Sequence, residues 1–224
     1  MSAPFLSAPF LAYRLRLTIQ DLGLERGGRS LIRGLAFELV SGQALLVRGP
    51  NGVGKTSLLR VLAGLLPRQS GTIALTGPDA STELSNALHS HYVGHAEALK
   101  GALTAKENLD FWGLMLSARL DDHPVRGMDC AAALEFLAIS HALDIPAAYL
   151  SAGQKRRLAL ARLLVAPRPL WILDEPFTAL DPQGQDQLRQ MMEDHLGRGG
   201  MMIASTHVAL GLKNARELTL GERA

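Results

Sequence analysis

Residues 49–57 read Gly49-Pro50-Asn51-Gly52-Val53-Gly54-Lys55-Thr56-Ser57, and this nonapeptide decides the fold. Gly49, Gly54, Lys55 and Thr56 satisfy the pattern G-x-x-x-x-G-K-[ST], a phosphate-binding loop. A glycine-rich turn with a solvated lysine gives the same letters, so the flanks decide. Before the loop, Ala44-Leu-Leu-Val47 is a buried apolar strand; after it, residues 55–66 put Leu58, Leu59, Leu62, Leu65 and Leu66 on one stripe of a helix. Strand, glycine loop and helix are the setting the motif needs. Glycines let backbone N–H groups wrap a phosphate without a Cβ in the way. The helix N-terminus adds roughly half a positive charge at the same point. Lys55 then reaches the β- and γ-phosphates, and the Thr56 hydroxyl is a Mg²⁺ ligand.

The rest of the composition narrows the field. With 224 residues and 47% hydrophobic content, the chain can build one sizeable core with a smaller subdomain. A net charge of +2 gives no nucleic-acid footprint. Cys130 has no partner for an internal disulfide, which fits a reducing compartment; its Asp129-Cys-Ala-Ala-Ala-Leu134 setting predicts a small core residue on a helix. No apolar run approaches the roughly eighteen residues of a membrane span. The chain starts with a tandem repeat, Ser2-Ala-Pro-Phe-Leu6 then Ser7-Ala-Pro-Phe-Leu11, without the basic segment of a signal peptide. Residues 1–12 are expected to be a flexible tail.

Along the chain, Tyr13, Leu15, Leu17 and Ile19 alternate with polar residues as a half-buried strand, and Leu35, Phe37 and Leu39 form another. Strands are expected at 72–76 and 89–94. From about 99 to 165 the pattern is helical, over 102–120, 130–142 and 152–165. Strand and helix then alternate again: 170–173, 183–196, 201–205 and 217–220. The predicted class is α/β: a P-loop core over 13–224 with an antiparallel β part and a helical subdomain inserted at about 99–165.

Leu170-Trp-Ile-Leu-Asp174-Glu175 is an apolar strand ending in two carboxylates. At the C-terminal end of a strand beside the phosphate loop, Asp174 is placed for Mg²⁺ and Glu175 for the attacking water. A helix N-cap gives the same string, so the pairing with the loop carries the reading. Ser151 and Gly153, in Leu150-Ser-Ala-Gly-Gln154, open a helix whose N-terminus suits an anion; by itself Ser151 reads only as an N-cap. His207 follows the strand 201–205, placed for the γ-phosphate.

These motifs, in this order, resemble the ABC-type ATPases. The resemblance covers about residues 13–220: Gly49–Ser57 (Walker A), Leu150–Gln154 (signature), Leu170–Glu175 (Walker B and the glutamate after it), Ala179-Leu-Asp181 (D-loop) and His207 (switch histidine). A narrower resemblance, to the haem-exporter ATP-binding subunit of cytochrome c maturation, the CcmA type, rests on Tyr92-Val-Gly-His95, Leu99-Lys100, Leu103-Thr104, Glu107–Trp112, Tyr149–Arg162 and Leu173–Asp181. It implies an ATPase using ATP and Mg²⁺, and a head-to-tail dimer with a second copy. Ser151, Gly153, Gln154 and Asp181 of one subunit would complete the site built by Gly49–Ser57, Asp174, Glu175 and His207 of the other. It also implies docking on integral membrane subunits of CcmB type, with CcmC type nearby, at the cytoplasmic face of the bacterial inner membrane. Residues 95–112, with Phe111 and Trp112, are the expected docking groove. No direct haem contact and no nucleic acid are expected.

The chain departs from the broad family pattern at three points. Ala152 replaces the second signature glycine, which requires a negative φ there. His95 takes the position of the Q-loop glutamine, next to the metal. The adenine-stacking aromatic is missing; Arg26 or Arg29 stacks on the base, or nothing does. His89, His91 and His95 tempt a metal or haem reading, but a surface strand edge explains them more cheaply. Lys155, Arg156 and Arg157 read as a solvated face or subunit contact. Two rival functions remain: an ABC ATPase energising export of another substrate, and a soluble ABC ATPase outside transport. The second is disfavoured by the single cassette and by the short separation of Thr56 from Ser151.

Overall fold

The computed structural model describes residues 14–77, 83–84, 89–117, 127–207 and 210–221. Tyr13, the expected tail at 1–12 and the end of the expected helix at 118–120 lie outside them. The chain forms two compact units. Among the described residues, one contains His95–Arg168 and Phe177–Asp194; the other contains those from Arg14 to Gly94, Pro169–Pro176 and those from His195 to Gly221.

The second of these holds two sheets. Strands β1 (Arg16–Arg26), β2 (Arg29–Val40), β4 (Ser70–Thr76) and β5 (Glu83–Leu84) pair antiparallel in the order β2-β1-β4-β5. Strands β3 (Ala44–Arg48), β6 (Ser90–Val93), β7 (Leu170–Asp174), β8 (Met201–Ser205) and β9 (Ala215–Thr219) form a parallel sheet in the order β6-β7-β8-β3-β9. The contrast follows from burial. In β1, Leu17 and Ile19 are buried while Arg16 and Gln20 are exposed, as the alternation predicts. In β7 and β8 every residue is buried, which is why they read as unbroken apolar runs. Helix α1 (Lys55–Leu62) places Leu58, Leu59 and Leu62 in one core with Leu17 and Ile19 of β1 and Leu45, Ile172 and Ile203 of the parallel sheet.

The other unit is helical: α2 (Ala105–Ser117), α3 (Cys130–Phe136) and α4 (Ala152–Val165) pack on one another. Helix α5 (Pro182–Gly197) links β7 to β8 in sequence. Helix α2 starts three residues later than the pattern suggests, because Thr104 and Glu107 cap it reciprocally: Glu107 N–H donates to Thr104 Oγ1 at 3.1 Å, and Thr104 N–H to Glu107 Oε2 at 2.8 Å. The fully buried Asn108 ties the preceding loop down, donating to the carbonyls of Lys100, Leu103 and Thr104.

Two helices end earlier than their apolar stripes. Helix α1 stops at Leu62 because Gly64 takes φ 73°, and the Leu65 and Leu66 amides fold back onto the Arg60 carbonyl. Leu65 is consequently 58% exposed. The helix expected over 130–142 ends at Phe136; Ala138 turns left-handed at φ 55°, and a 3₁₀ turn resumes at Ser140–Ala142. The last strand runs over Ala215–Thr219 rather than 217–220.

Candidate nucleotide site

The phosphate loop connects the C-terminal end of β3 to α1. Its backbone explains its glycines: φ is 138° at Gly49, and a Cβ there would lie 2.5 Å from the Leu220 carbonyl oxygen. Gly54, at φ 114°, is the N-cap of α1, so the amides that follow open toward the loop. Pro50, Asn51 and Gly52 are exposed, Val53 and Thr56 half-buried, and Ser57 buried in the first turn of α1. The Lys55 ammonium folds back over the loop, donating to the carbonyls of Gly49 at 2.7 Å and Pro50 at 3.3 Å. An ammonium beside a glycine-rich loop that opens a helix suits a polyphosphate.

Asp174 ends β7 and Glu175 follows it. Asp174 is 1% exposed, and both of its oxygens meet hydroxyls: Ser205 Oγ donates to Oδ1 at 2.6 Å, and Tyr92 OH to Oδ2 at 3.4 Å. Arg60 Nε donates in turn to Tyr92 OH at 3.3 Å, and burial pushes that phenol above its ordinary range. Glu175 has φ 47°, a left-handed backbone costing about 1–3 kcal/mol for a residue with a side chain. Its N–H reaches Ser205 Oγ at 2.9 Å and the Ser205 carbonyl at 3.2 Å. The turn carries the carboxylate away from Asp174 to His207, whose Nε2 lies 3.3 Å from Glu175 Oε1. Gly49–Ser57, Asp174, Glu175 and His207 thus belong to one unit. The sequence assigns no site role to Ser205, Tyr92 or Arg60; the signal for Ser205 is its place beside His207 at a buried strand end.

The remaining expected site residues belong to the helical unit. Ser151 caps α4 in a reciprocal box with Gln154: Gln154 N–H donates to Ser151 Oγ at 3.2 Å, and Ser151 N–H to Gln154 Oε1 at 2.8 Å. Gly153 lies under the loop before α5; a Cβ on it would sit 3.3 Å from the Ala179 carbonyl. Asp181 accepts from Gly184 N–H at 2.9 Å and from Arg157 at 2.5 Å, and the Gly184 amide, with Arg157 beside it, holds its carboxyl below the usual range. Arg156 and Arg157 are buried, not a solvated face. Arg157 also donates to the Leu137 carbonyl and to Gln187, so Asp181 balances its charge while neutral acceptors satisfy its other donors. His95 is exposed just beyond β6.

A family model described as ABC transporter matches residues 32–178. The cytochrome c biogenesis ATP-binding export protein CcmA of Bradyrhizobium diazoefficiens is 54% identical over 197 residues, 88% of this chain and 93% of that protein. The chain belongs to the ABC transporter family, in its CcmA group. A second CcmA, from Rhodopseudomonas palustris, is 49% identical over 93% of this chain and 99% of its own length. The ATP-binding subunit of an ABC transporter superposes with a TM-score of 0.75 at 21% identity, covering 91% of this chain and 85% of that one. A putative ABC transporter ATP-binding protein from Pyrococcus furiosus gives 0.72 at 20% identity, over 91% and 97%. These two show the fold: an antiparallel β part and a parallel P-loop core with helices.

As an ABC transporter ATP-binding subunit, the chain binds and hydrolyses ATP. One departure from the family pattern has a local explanation. Ala152 opens α4 and is not among the positive-φ residues, so a methyl group is no obstacle there. Arg26, with Leu24, Glu25, Ser57, Arg60 and Val61, lines a cavity of about 180 Å³ beside α1; Arg29 does not line it. His91 is buried in β6, unlike the surface histidine expected, and His89 precedes the strand. Phe111 and Trp112 are half-buried, with Lys100 4.7 Å from the Phe111 ring centroid and Arg162 5.1 Å from that of Trp112. The exposed apolar residues of α2 are instead Leu114 and Met115, 76% and 46% exposed. No helix among the described residues is long and apolar enough to cross a membrane.

Proposed function

We propose that this chain is the ATPase that energises haem handling in c-type cytochrome biogenesis, working as a head-to-tail dimer on membrane subunits of CcmB type, with CcmC type nearby. The supporting observation is the 54% identity to a CcmA protein over nearly that protein's whole length. The two units serve as core and helical subdomain of one nucleotide-binding domain over 13–224, peripheral to the cytoplasmic face of the inner membrane. Export of a different substrate by the same engine is the alternative that the membrane partner decides.

In this reading the amides of residues 49–57 and Lys55 bind the β- and γ-phosphates. Arg26 of the cavity beside α1 stacks on the adenine. The donor set suits Mg²⁺: Asp174 and Thr56 offer hard oxygens, and a cation that keeps water and phosphate ligands needs few from the protein. Among the described residues no cluster of three or more His, Cys, Asp or Glu is built for a metal, so a phosphate-dependent site fits better than an all-protein cage. His95, at the Q-loop position, would be the remaining residue to hold the metal, through water. Bound Mg²⁺ would supply charge neutralisation at the β- and γ-oxygens. Glu175 accepts a proton from, or orients, the attacking water, and His207 holds Glu175 and meets the γ-phosphate. Ser151, Gly153, Gln154 and Asp181 come from the second copy.

Glu175→Gln keeps the volume but removes the base. It should lower turnover by about two to four orders of magnitude and accumulate an ATP-bound dimer on size-exclusion chromatography. Wild-type turnover in this variant would remove Glu175 from the mechanism. Co-purification of the chain with its membrane subunits, followed by haem assay of the complex, tests the substrate.

A further inference from the structure

One hydroxyl sits between the two carboxylates of this site. Ser205 ends β8, is fully buried, and pairs with Asp174 in the parallel ladder. Its Oγ gives its only proton to Asp174 Oδ1 at 2.6 Å and offers a lone pair to the Glu175 N–H at 2.9 Å. A hydroxyl has one donor and two acceptor positions, so a single Ser205 rotamer serves both neighbours with the polarity each requires. An alanine here would leave Oδ1 buried without this donor, and would take from the Glu175 amide the shorter of its two bonds to Ser205. We propose that Ser205 is a positioning residue for ATP hydrolysis: it fixes the rotamer of Asp174 and pins the left-handed turn that directs Glu175.

The two oxygens of Asp174 are held unequally. Oδ1 has the short bond to Ser205, whereas Oδ2 has the 3.4 Å contact with Tyr92. The short bond commits Oδ1 to Ser205 and so fixes the orientation of the carboxylate. At Glu175, φ 47° precedes Pro176, a neighbour that disfavours the right-handed helical region. Such a neighbour favours extended backbone, so the left-handed turn needs holding, and the amide bond to Ser205 holds it and with it the direction of the side chain.

The proposal rests on Asp174 acting at the metal and Glu175 at the water, and the test separates the two levels. Ser205→Ala, Ser205→Cys, Ser205→Thr and Asp174→Asn would be made in the full chain. Each is read by thermal midpoint, by kcat and KM for ATP, by ATP affinity without metal, and by Mn²⁺ affinity of the ATP-bound protein from electron paramagnetic resonance. Loss of one charge-assisted bond predicts a fall in kcat of about tenfold to a hundredfold in Ser205→Ala. Weakened Mn²⁺ binding should accompany it, with metal-free ATP affinity unchanged. Ser205→Thr keeps the hydroxyl and should restore both; Ser205→Cys, a weak donor, should fall between, and it carries the test if the alanine variant does not fold. The positioning role is overturned if the alanine or cysteine variant matches wild type in kcat and Mn²⁺ affinity, or if the threonine variant is as impaired as alanine. Unchanged Mn²⁺ affinity in Asp174→Asn overturns the metal assignment beneath it instead.

Discussion

His195 lies flat on Trp171, with ring centroids 3.9 Å apart and 9° between the planes, and its Nε2 is 3.1 Å from the Met201 carbonyl. Burial pushes its pKa down to about 4 from 6.5, so the folded chain holds it neutral. The unfolded chain takes up the proton first as pH falls. The stability this residue confers is complete above about pH 6.5 and drains away as the pH drops toward 4, by up to about 3 kcal/mol. Urea unfolding at pH 7.5 and 5 should show that loss in the wild type and a flatter profile in His195→Phe, which keeps the stacking but cannot be protonated. A wild-type profile with no more slope than the variant would contradict the assignment. Legibility in the sequence divides sharply among single residues. Lys55, Asp174 and Glu175 could be found because each belongs to a motif whose spacing encodes its geometry. Cys130 could be read as inert: it starts α3, donates to Asp110 Oδ1 at 3.3 Å, and burial raises its pKa to about 12. Ser205, Tyr92 and Arg157 could not, because what makes them matter is a partner brought close by tertiary pairing.

Helix α4 shows the same division at the scale of an element. Its start and end were legible, since Ser151 with Gln154 spells a capping box and Ala166-Pro167 stops the helix. The left-handed break at Ala138 was not, since alanine is the best helix former and nothing local asks it to turn. The cap raises a question of function: Ser151 could act only through the helix, or also through a phosphate. Two substitutions separate these. Ser151→Ala removes the cap and should cost about 1 kcal/mol in unfolding experiments. Ser151→Asp keeps a capping oxygen and should leave stability within about 0.5 kcal/mol of wild type. It also puts a negative charge where a γ-phosphate would lie, so its ATP turnover should fall at least as far as that of Ser151→Ala. If the stable aspartate variant turned over ATP normally, Ser151 would be a cap and nothing more.

For the whole molecule, the decisive question is whether the site is complete within one chain. The loop, both carboxylates and His207 belong to one unit, while Ser151, Gly153 and Asp181 belong to the other. The α/β class was readable because strand and helix periodicities alternate along the chain; that Phe177–Asp194 joins the helical unit was not, because the boundary at His195 falls inside the continuous helix α5. What sequence periodicity cannot encode is which copy of Ser151 meets which copy of Lys55. A mixing experiment can answer it. Lys55→Ala spoils the phosphate grip of its own chain, and Ser151→Asp spoils the part contributed to the partner. Each homodimer then has two broken sites. In a mixed dimer of symmetric halves, one site combines the intact Lys55 with the intact Ser151, and the other collects both lesions. Equal mixing makes half of the dimers mixed with one good site each, so turnover should recover to at most roughly a quarter of wild type. That recovery should appear only after the two inactive proteins are combined and should grow with total concentration. If both residues instead served a site within one chain, no mixture could exceed the activity of its components, and the head-to-tail dimer would have to be abandoned.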